Sequence, residues 1–304
     1  MKLSRSTYFR LLIIAILGLV LVFFILMFSN NFGIPTIADV WASISRKAEV
    51  QPREDYVRFI DVGQGDCILI SSNGYNAVVD FGNKSDYGTE LLDSLKKLGI
   101  TRIDCAILSH YDSDHVGGGS KIIRAIDTRY ALLPELDDRS DNDFTNFQHA
   151  LENSKTQIVP ARVGTVINIG EFEITVLAYN NNATNSNDKS VVLMAEISGK
   201  KFLLTGDAGT DVEKQLIQDK INIDCDVYKA AHHGSRNSNS AEFITAASPE
   251  YAVISVGASN SYGHPHTEVI DNLNAVGAKI YRTDRSGDIT FFVEDGNITA
   301  KTEF

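Results

Sequence analysis

Cysteine is scarce in this chain of 304 residues. There are three, Cys67, Cys105 and Cys225, an odd number with no Cys-x-x-Cys pair. That excludes a disulfide framework and a thiolate zinc knuckle. Each lies in an apolar run ("DCILI", "DCAILS", "DCDVYKAA"), the setting of a small buried hydrophobe. Basic charge is scarce too. The formal net charge is −11, so the bulk field does not attract polyanions; a nucleic-acid substrate would need a local basic patch or a bridging cation. No internal repeat runs through the chain, which leaves an ordinary globular fold rather than a solenoid.

Charge is absent altogether between Arg10 and Asp39, and the chain's long hydrophobic run lies there. "LLIIAILGLVLVFFILMF" (Leu11–Phe28) is eighteen residues, close to the ~20 that span a bilayer. Lys2, Arg5 and Arg10 precede it. The positive-inside rule then makes residues 1–10 a basic cytoplasmic tail, 11–28 a transmembrane anchor, and the remainder an extracellular domain of a single-pass cell-membrane protein. A cleaved signal peptide is the competing reading; the run exceeds a typical h-region, and "SNNFG" after it offers no small-x-small site. Residues 29–55 read as a linker, from the helix-breaking "NNFGIP" to the entry at Pro52. Without residues 1–52 the chain keeps 23 basic and 37 acidic residues, a net charge of −14.

From Tyr56 the pattern is one of strands with interleaved helices. "YVRFIDV" and "DCILIS" flank "GQG", a hairpin with a glycine turn. "YNAVVDFG" and "IDCAILSH" read as strands, and "GTELLDSLKKLGI" as a helix stopped at Gly99. "SVVLMAEISGKKFLLTGDA" is a hairpin, "DVYKAAHHGS" a strand, and the stretch to "AKIYRT" alternates helix and strand. Two packed sheets covered by helices fit this order.

Six of seven histidines stand where such apolar strands end: His110 and His115 in "LSHYDSDHVGG", His232 and His233 in "AAHHGS", His264 and His266 in "YGHPH". His149, on a surface helix, is solvated. Asp112, Asp114 and, after "KKFLLTG", Asp207 join them. Imidazoles and carboxylates at the carboxyl ends of strands suit Zn²⁺ or Mn²⁺; a polar turn with capping aspartates is the blander account of "SHYDSDH" alone. Asp61 and Asp66 border the glycine turn and either serve it or approach the ions. Lys189, Arg236, Arg282 and Arg285 are candidate phosphate contacts or plain surface charge.

In order along the chain, "FIDVGQGDCILI", "VVDFG", "SHYDSDHVGG", "FLLTGDA", "AAHHGS" and "YGHPH" resemble the metallo-β-lactamase fold, and within it the hydrolase domain of the ComEC competence family. The likeness runs from Tyr56 to Ile289. It implies an α/β fold, a four-layer αββα sandwich over residues 56–304, with two divalent metal ions, Zn or Mn. It also implies metal-assisted hydrolysis of a phosphodiester, DNA above all. The superfamily's HxHxDH stands here as HxDxDH. His110 and Asp112 would then serve the first ion, Asp114 and His115 the second, and Asp207 would bridge both. The last metal-binding imidazole falls to His264, with His232 as competitor. His233 would give a proton or contact phosphate, and Asp114 would hold or deprotonate the attacking water. Asp80 would orient a ligand histidine; Ser235 and His266 belong to the surroundings or the substrate. A third superfamily histidine is missing near "NSNDKS", leaving Asn187 as a weak ligand. The multi-span channel and OB-fold region that the family also carries have no counterpart in the sequence, so hydrolysis rather than transport is expected. The other readings are a hydrolase of a nucleotide, another small phosphate ester or a thioester, and a non-catalytic module stabilised by metal.

Overall fold

The computed structural model describes residues 54–83, 87–136 and 139–304. The expected tail and anchor and nearly all of the linker lie outside these residues. Among the described residues no helix is long and apolar enough to cross a membrane.

Two sheets form the middle of the fold. Strands β1 (Asp55–Phe59), β2 (Ile68–Ser72), β3 (Tyr75–Val79), β4 (Arg102–Ile107), β5 (Asp127–Leu133) and β6 (Gln157–Pro160) build the first. The chain then lays down the second with β7 (Val166–Ile169), β8 (Phe172–Ala178), β9 (Val192–Ile197), β10 (Lys200–Leu204), β11 (Val227–Lys229), β12 (Tyr251–Ile254) and β13 (Lys279–Arg282), and returns to the first with β14 (Ile289–Glu294) and β15 (Asn297–Thr302). The orders are β15-β14-β1-β2-β3-β4-β5-β6 and β13-β12-β11-β10-β9-β8-β7. Parallel pairing runs through β3-β4-β5-β6 and β10-β11-β12-β13. Parallel strands covered on both faces read as continuous apolar runs, which is why "IDCAI" and "VYK" are buried throughout.

Side chains from both sheets share one core, with Phe172, Phe202 and Phe291 packed ring on ring at 6.1 and 6.3 Å. A second core joins the first sheet to α1 (Tyr87–Lys97), α2 (Ser113–Val116), α3 (Gly119–Ala125) and α4 (Asn142–Glu152) through Leu91, Val116, Ile122 and Phe147. A third joins the other sheet to α5 (Thr210–Gln218), α6 (Ala241–Ala247) and α7 (Thr267–Ala275) through Leu216, Phe243 and Leu273. The layers are therefore helix, sheet, sheet, helix. Asp141 and Ser240 cap α4 and α6 by accepting from the backbone N–H of Phe144 and Phe243. The three cysteines are buried and free.

Two features differ from the sequence reading. The hairpin β14–β15 was not anticipated; it pairs with β1, Asp55 opposite Val293, across most of the chain. And "GQG" is no tight turn. Residues 60–67 form a loop closed by Ile60 N–H donating to the Cys67 carbonyl, and the loop runs under the polar strand ends. Gly65 is required there: a Cβ would stand 2.4 Å from the Asp114 carbonyl oxygen.

Candidate metal centre

Five strands deliver the site. β3 ends just before Asp80, β4 shortly before Ser109 and His110, β10 before Asp207, β11 before His233, and β12 before Ser255. All are carboxyl ends, so both sheets open onto one seam. Val191 N–H donates to the Ser109 carbonyl at 2.9 Å and ties the two sheets there. Gly206, at φ +51°, brings the Asp207 loop so close that a Cβ would meet Ser109 at 2.8 Å.

Each of three imidazoles has its Nδ1 engaged by a fixed partner. His115 Nδ1 donates to Asp80 Oδ2 at 2.8 Å. Asp80 is itself held by Ser109, whose N–H and Oγ donate to its two oxygens at 2.8 and 2.7 Å. His233 Nδ1 donates to the Ser255 carbonyl at 3.0 Å. His110 Nδ1 lies 3.1 Å from Ser109 Oγ, whose proton is already given to Asp80, and 3.4 Å from Ser190 Oγ. A carboxylate or carbonyl can only accept. The Nδ1 partners therefore turn all three Nε2 atoms toward the seam.

Those Nε2 atoms and Asp207 Oδ1 are buried and make no hydrogen bond. His110, His115 and Asp207 each bring a donor atom within 4.8 Å of the others; so do Asp114, His115 and His233, and Asp66, Asp207 and His233. His115 Nε2 is 3.2 Å from Asp207 Oδ1, and His233 Nε2 is 3.2 Å from Asp114 Oδ2. Buried polar atoms without partners are costly, and an anionic, imidazole-rich set of this kind suits a divalent cation.

The electrostatics carry the same mark. Burial lowers the His115 pKa, but Asp207 and Asp80 outweigh it and hold it well above the ordinary value. His233 is likewise raised against burial, to about 10, chiefly by Asp207. Burial raises Asp207, yet His115 and His233 keep it well below the usual carboxylate range. Asp114 is also lowered, its burial outweighed by the neighbouring imidazoles of His233 and His115. Protons on imidazole thus neutralise carboxylates at the place a cation can occupy.

The remaining sequence candidates are placed as follows. Asp112 Oδ2 lies 3.6 Å from His110 Nε2, while its Oδ1 accepts from Arg139 at 3.2 Å and from Ser186 Oγ at 2.5 Å. Despite burial, His110, Ser186 and Arg139 hold it below the ordinary range. Of the three histidines that could supply the last imidazole, His233 is the one whose Nε2 is buried in the cluster, 3.7 Å from Asp207 and 3.2 Å from Asp114. Left-handed backbone at His232 and His233, φ +50° and +54°, turns the His232 ring outward to Asn187 Nδ2 at 3.2 Å and the His233 ring inward to Asp114. His232 Nε2 is still 3.8 Å from Asp207, at the edge of a cavity of about 280 Å³ lined by Asn185, Asn187, Thr210 and Asn237 among others. His264 sits one ring further out, 5.5 Å from His232 and 6.4 Å from His233 between centroids. Burial and the neighbouring histidines push its pKa down to about 4. His266 Nδ1 accepts from Arg236 N–H, and buried Ser235 accepts from Asn237 N–H. Asp61 is exposed and bonds its own turn at Gly63, and Arg282 is paired with Asp284 at 2.6 Å. His149 is exposed, as expected.

Sequence reasoning missed Lys229, which is fully buried and pairs with Asp66 at 2.8 Å below the centre. A lysine inside "DVYKAA" was the available signal. It also missed Arg139 and Ser190; Ser190 Oγ accepts from Asp207 N–H at 3.0 Å.

The family model for the Metallo-beta-lactamase superfamily matches residues 60–258. The chain is 30% identical over 256 residues to ComE operon protein 3 of Bacillus subtilis (strain 168), covering 78% of this chain and 33% of that protein. It is 32% identical over 261 residues to Competence protein ComA of Neisseria gonorrhoeae, covering 85% and 35%. The chain thus spans about a third of the length of these relatives. Among solved structures, the metallo-beta-lactamase fold protein YhfI from Bacillus subtilis aligns with TM-score 0.52 at 14% identity, over 82% of this chain and 100% of that one. CmlA, a diiron beta-hydroxylase from Streptomyces venezuelae, aligns with TM-score 0.54 at 15% identity, over 84% and 59%. At these identities the structural likeness is one of fold.

Proposed function

The chain belongs to the metallo-beta-lactamase superfamily of metal-dependent hydrolases, with competence proteins among its relatives, and from that premise we propose that it is a metal-dependent phosphodiesterase acting on DNA. The observation that carries this reading is the triple Nδ1 engagement, which leaves Nε2 of His110, His115 and His233 facing Asp207 and Asp114 without hydrogen bonds.

In this reading His110 and Asp112 would hold one divalent ion, Asp114, His115 and His233 the other, with Asp207 within reach of both groups; zinc and manganese both suit the donors. Such ions, when bound, lower the pKa of water toward ~7 and neutralise a phosphodiester, which answers the acidic net charge. Asp80 and Ser109 keep His115 oriented, and the Ser255 carbonyl does the same for His233. Asp114, only partly buried, is placed to orient the attacking water and take its proton. His232, at the cavity edge, is placed to give a proton from Nε2 to the departing oxygen. The ligand role of His233 and the donor role of His232 exchange the parts first expected of them.

One observation favours a second reading, a metal-stabilised binding module. Arg139 and Ser186 occupy Asp112 Oδ1, and Asn187, where the family resemblance leads one to expect a third histidine, bonds His232. That reading requires one ion and no turnover.

The test uses the full-length chain purified without chelator. Metal content is measured, and cleavage of single- and double-stranded DNA is assayed with Mn²⁺ or Zn²⁺ beside Asp114→Asn. Near two equivalents with cleavage lost in Asp114→Asn supports the phosphodiesterase. One equivalent with DNA binding but no cleavage replaces it by the module; turnover of small esters without DNA cleavage redirects the substrate. We also propose that Leu11–Phe28 anchors the chain in the cell membrane with this domain outside, as its apolarity and the preceding basic residues support. Protease added to intact cells should then degrade the domain; full protection would refute that placement.

A further inference from the structure

One open aromatic ring beside the centre has no part in the chemistry above. Tyr262 is 64% exposed, more than any other large hydrophobic residue among those described except the terminal Phe304. One of its faces is covered: the ring stacks on His264 at 5.6 Å and 23°. His264 in turn meets the His232 ring edge-on at 5.5 Å, and His232 Nε2 is 3.8 Å from Asp207. Two imidazoles therefore separate the donor cluster from an open π-face.

The ring is carried on a fixed loop. Asn260 Nδ2 donates to the carbonyls of Gly257 and His264, and Asn260 Oδ1 accepts from His264 N–H at 2.9 Å. Gly257 N–H donates to Gln64 Oε1, and a Cβ on Gly257 would lie 2.8 Å from the Gln64 nitrogen. Pro265 packs on Gly234, where a Cβ would lie 2.6 Å from it. The histidine turn and the tyrosine loop are thus locked together. Arg236 projects from the same rim: its N–H donates to His266 Nδ1, its side chain is exposed, and no carboxylate among the described residues pairs with it.

A rigid aromatic with one face covered and the other open binds a flat π-system at little entropic cost, and every base has such a face. In a duplex those faces are stacked inside; only an unpaired base can present one. We propose, building on the phosphodiesterase reading above, that Tyr262 is a stacking platform for an unpaired nucleobase next to the scissile phosphate. Arg236 meets a neighbouring phosphate, and the substrate class is single-stranded DNA or a frayed end rather than intact duplex.

The test compares a single-stranded oligonucleotide, the same strand with abasic tetrahydrofuran units flanking the cleavage point, and the duplex. Each is offered to the full-length metal-loaded chain and to Tyr262→Ala and Tyr262→Trp. Stacking of one base is worth roughly 5- to 150-fold in affinity. The wild type should therefore prefer the base-bearing strand over the abasic one by about fivefold or more in KM. Tyr262→Ala should erase that preference and Tyr262→Trp retain it. In parallel, a strand carrying 2-aminopurine at the flanking position should be quenched by the wild type and not by Tyr262→Ala. Equal KM for base-bearing and abasic strands, with cleavage intact, overturns the platform and leaves the phosphodiesterase standing. If the wild type cleaves no strand, the phosphodiesterase reading falls and the quenching result decides the platform: quenching that depends on Tyr262 keeps it, and quenching absent or unchanged in Tyr262→Ala overturns it.

Discussion

Lys229 and Asp66 meet at 2.8 Å beneath the histidine cluster, and neither is exposed to solvent. Burial raises the Asp66 carboxyl, and the Lys229 charge together with His233 outweighs it, so Asp66 stays ionised. Its other oxygen is 3.5 Å from His233 Nδ1. Two of the most buried groups in the protein are therefore charged and depend on each other.

Removing one partner of such a pair strands the other. Lys229→Met should destabilise the fold by about 3–5 kcal/mol, and Asp66→Asn with Lys229→Met should recover part of the loss. Urea unfolding of the three proteins measures this. A single variant with the wild-type midpoint would show that the pair carries no such dependence.

Asp80 acts through His115. Asp80→Asn replaces an acceptor of the His115 Nδ1 proton by a group that can also donate, and it loosens Ser109. Zinc affinity should fall about 10- to 100-fold, as for other carboxylates that orient a ligand histidine. Chelator competition reads the affinity and circular dichroism checks that the fold is kept. Unchanged affinity would count against the orienting role.

The two ion positions should separate by mutation. Asp112 lies on the His110 side, and Asp114 belongs with His115 and His233. Asp112→Ala should lower the metal content by about one equivalent from about two, leaving the ion held by Asp114. Elemental analysis after gel filtration is the measurement; loss of both ions would show a single coupled site.

The metal-free protein should respond to pH in a definite sense. His115 and His233 have folded pKa values above 6.5, His233 at about 10. Their stabilisation is fully present below 6.5 and is lost as pH rises toward about 10. Asp207 and Asp66, with lowered values, lose theirs as pH falls below 3.8. The melting temperature of the chelated protein should therefore decline from pH 6.5 upward. Zinc must displace the imidazole protons, so its affinity should rise with pH, up to tenfold per unit for each proton released. Melting curves with and without zinc test both; a flat profile for the chelated protein would contradict the assignment of charge.

The motif "SHYDSDH" made His110, Asp114 and His115 legible because their spacing is local and a strand and a helix bracket them. Asp80 and Asp207 were legible for the same reason, each at the end of an apolar run. Adjacent His232 and His233 were not separable. Which ring enters the seam is decided by left-handed backbone at both residues, and the contacts that select it, the Ser255 carbonyl and Asn187, come from distant segments. Lys229 was hidden because a parallel strand buried on both faces gives no alternation against which a buried charge stands out. β14 was hidden because its partner β1 lies at the other end of the domain.

The seam has a mechanical side as well. His110 and His115 follow a strand of one sheet, Asp207 and His233 follow strands of the other. An ion held by His115 and Asp207 would close a chain segment of about 90 residues and would act as a removable rivet. Clips that close long segments remove the most chain entropy from the unfolded state. Loading would then stabilise the domain, and a chain stripped of metal would lose that one tie between its two sheets.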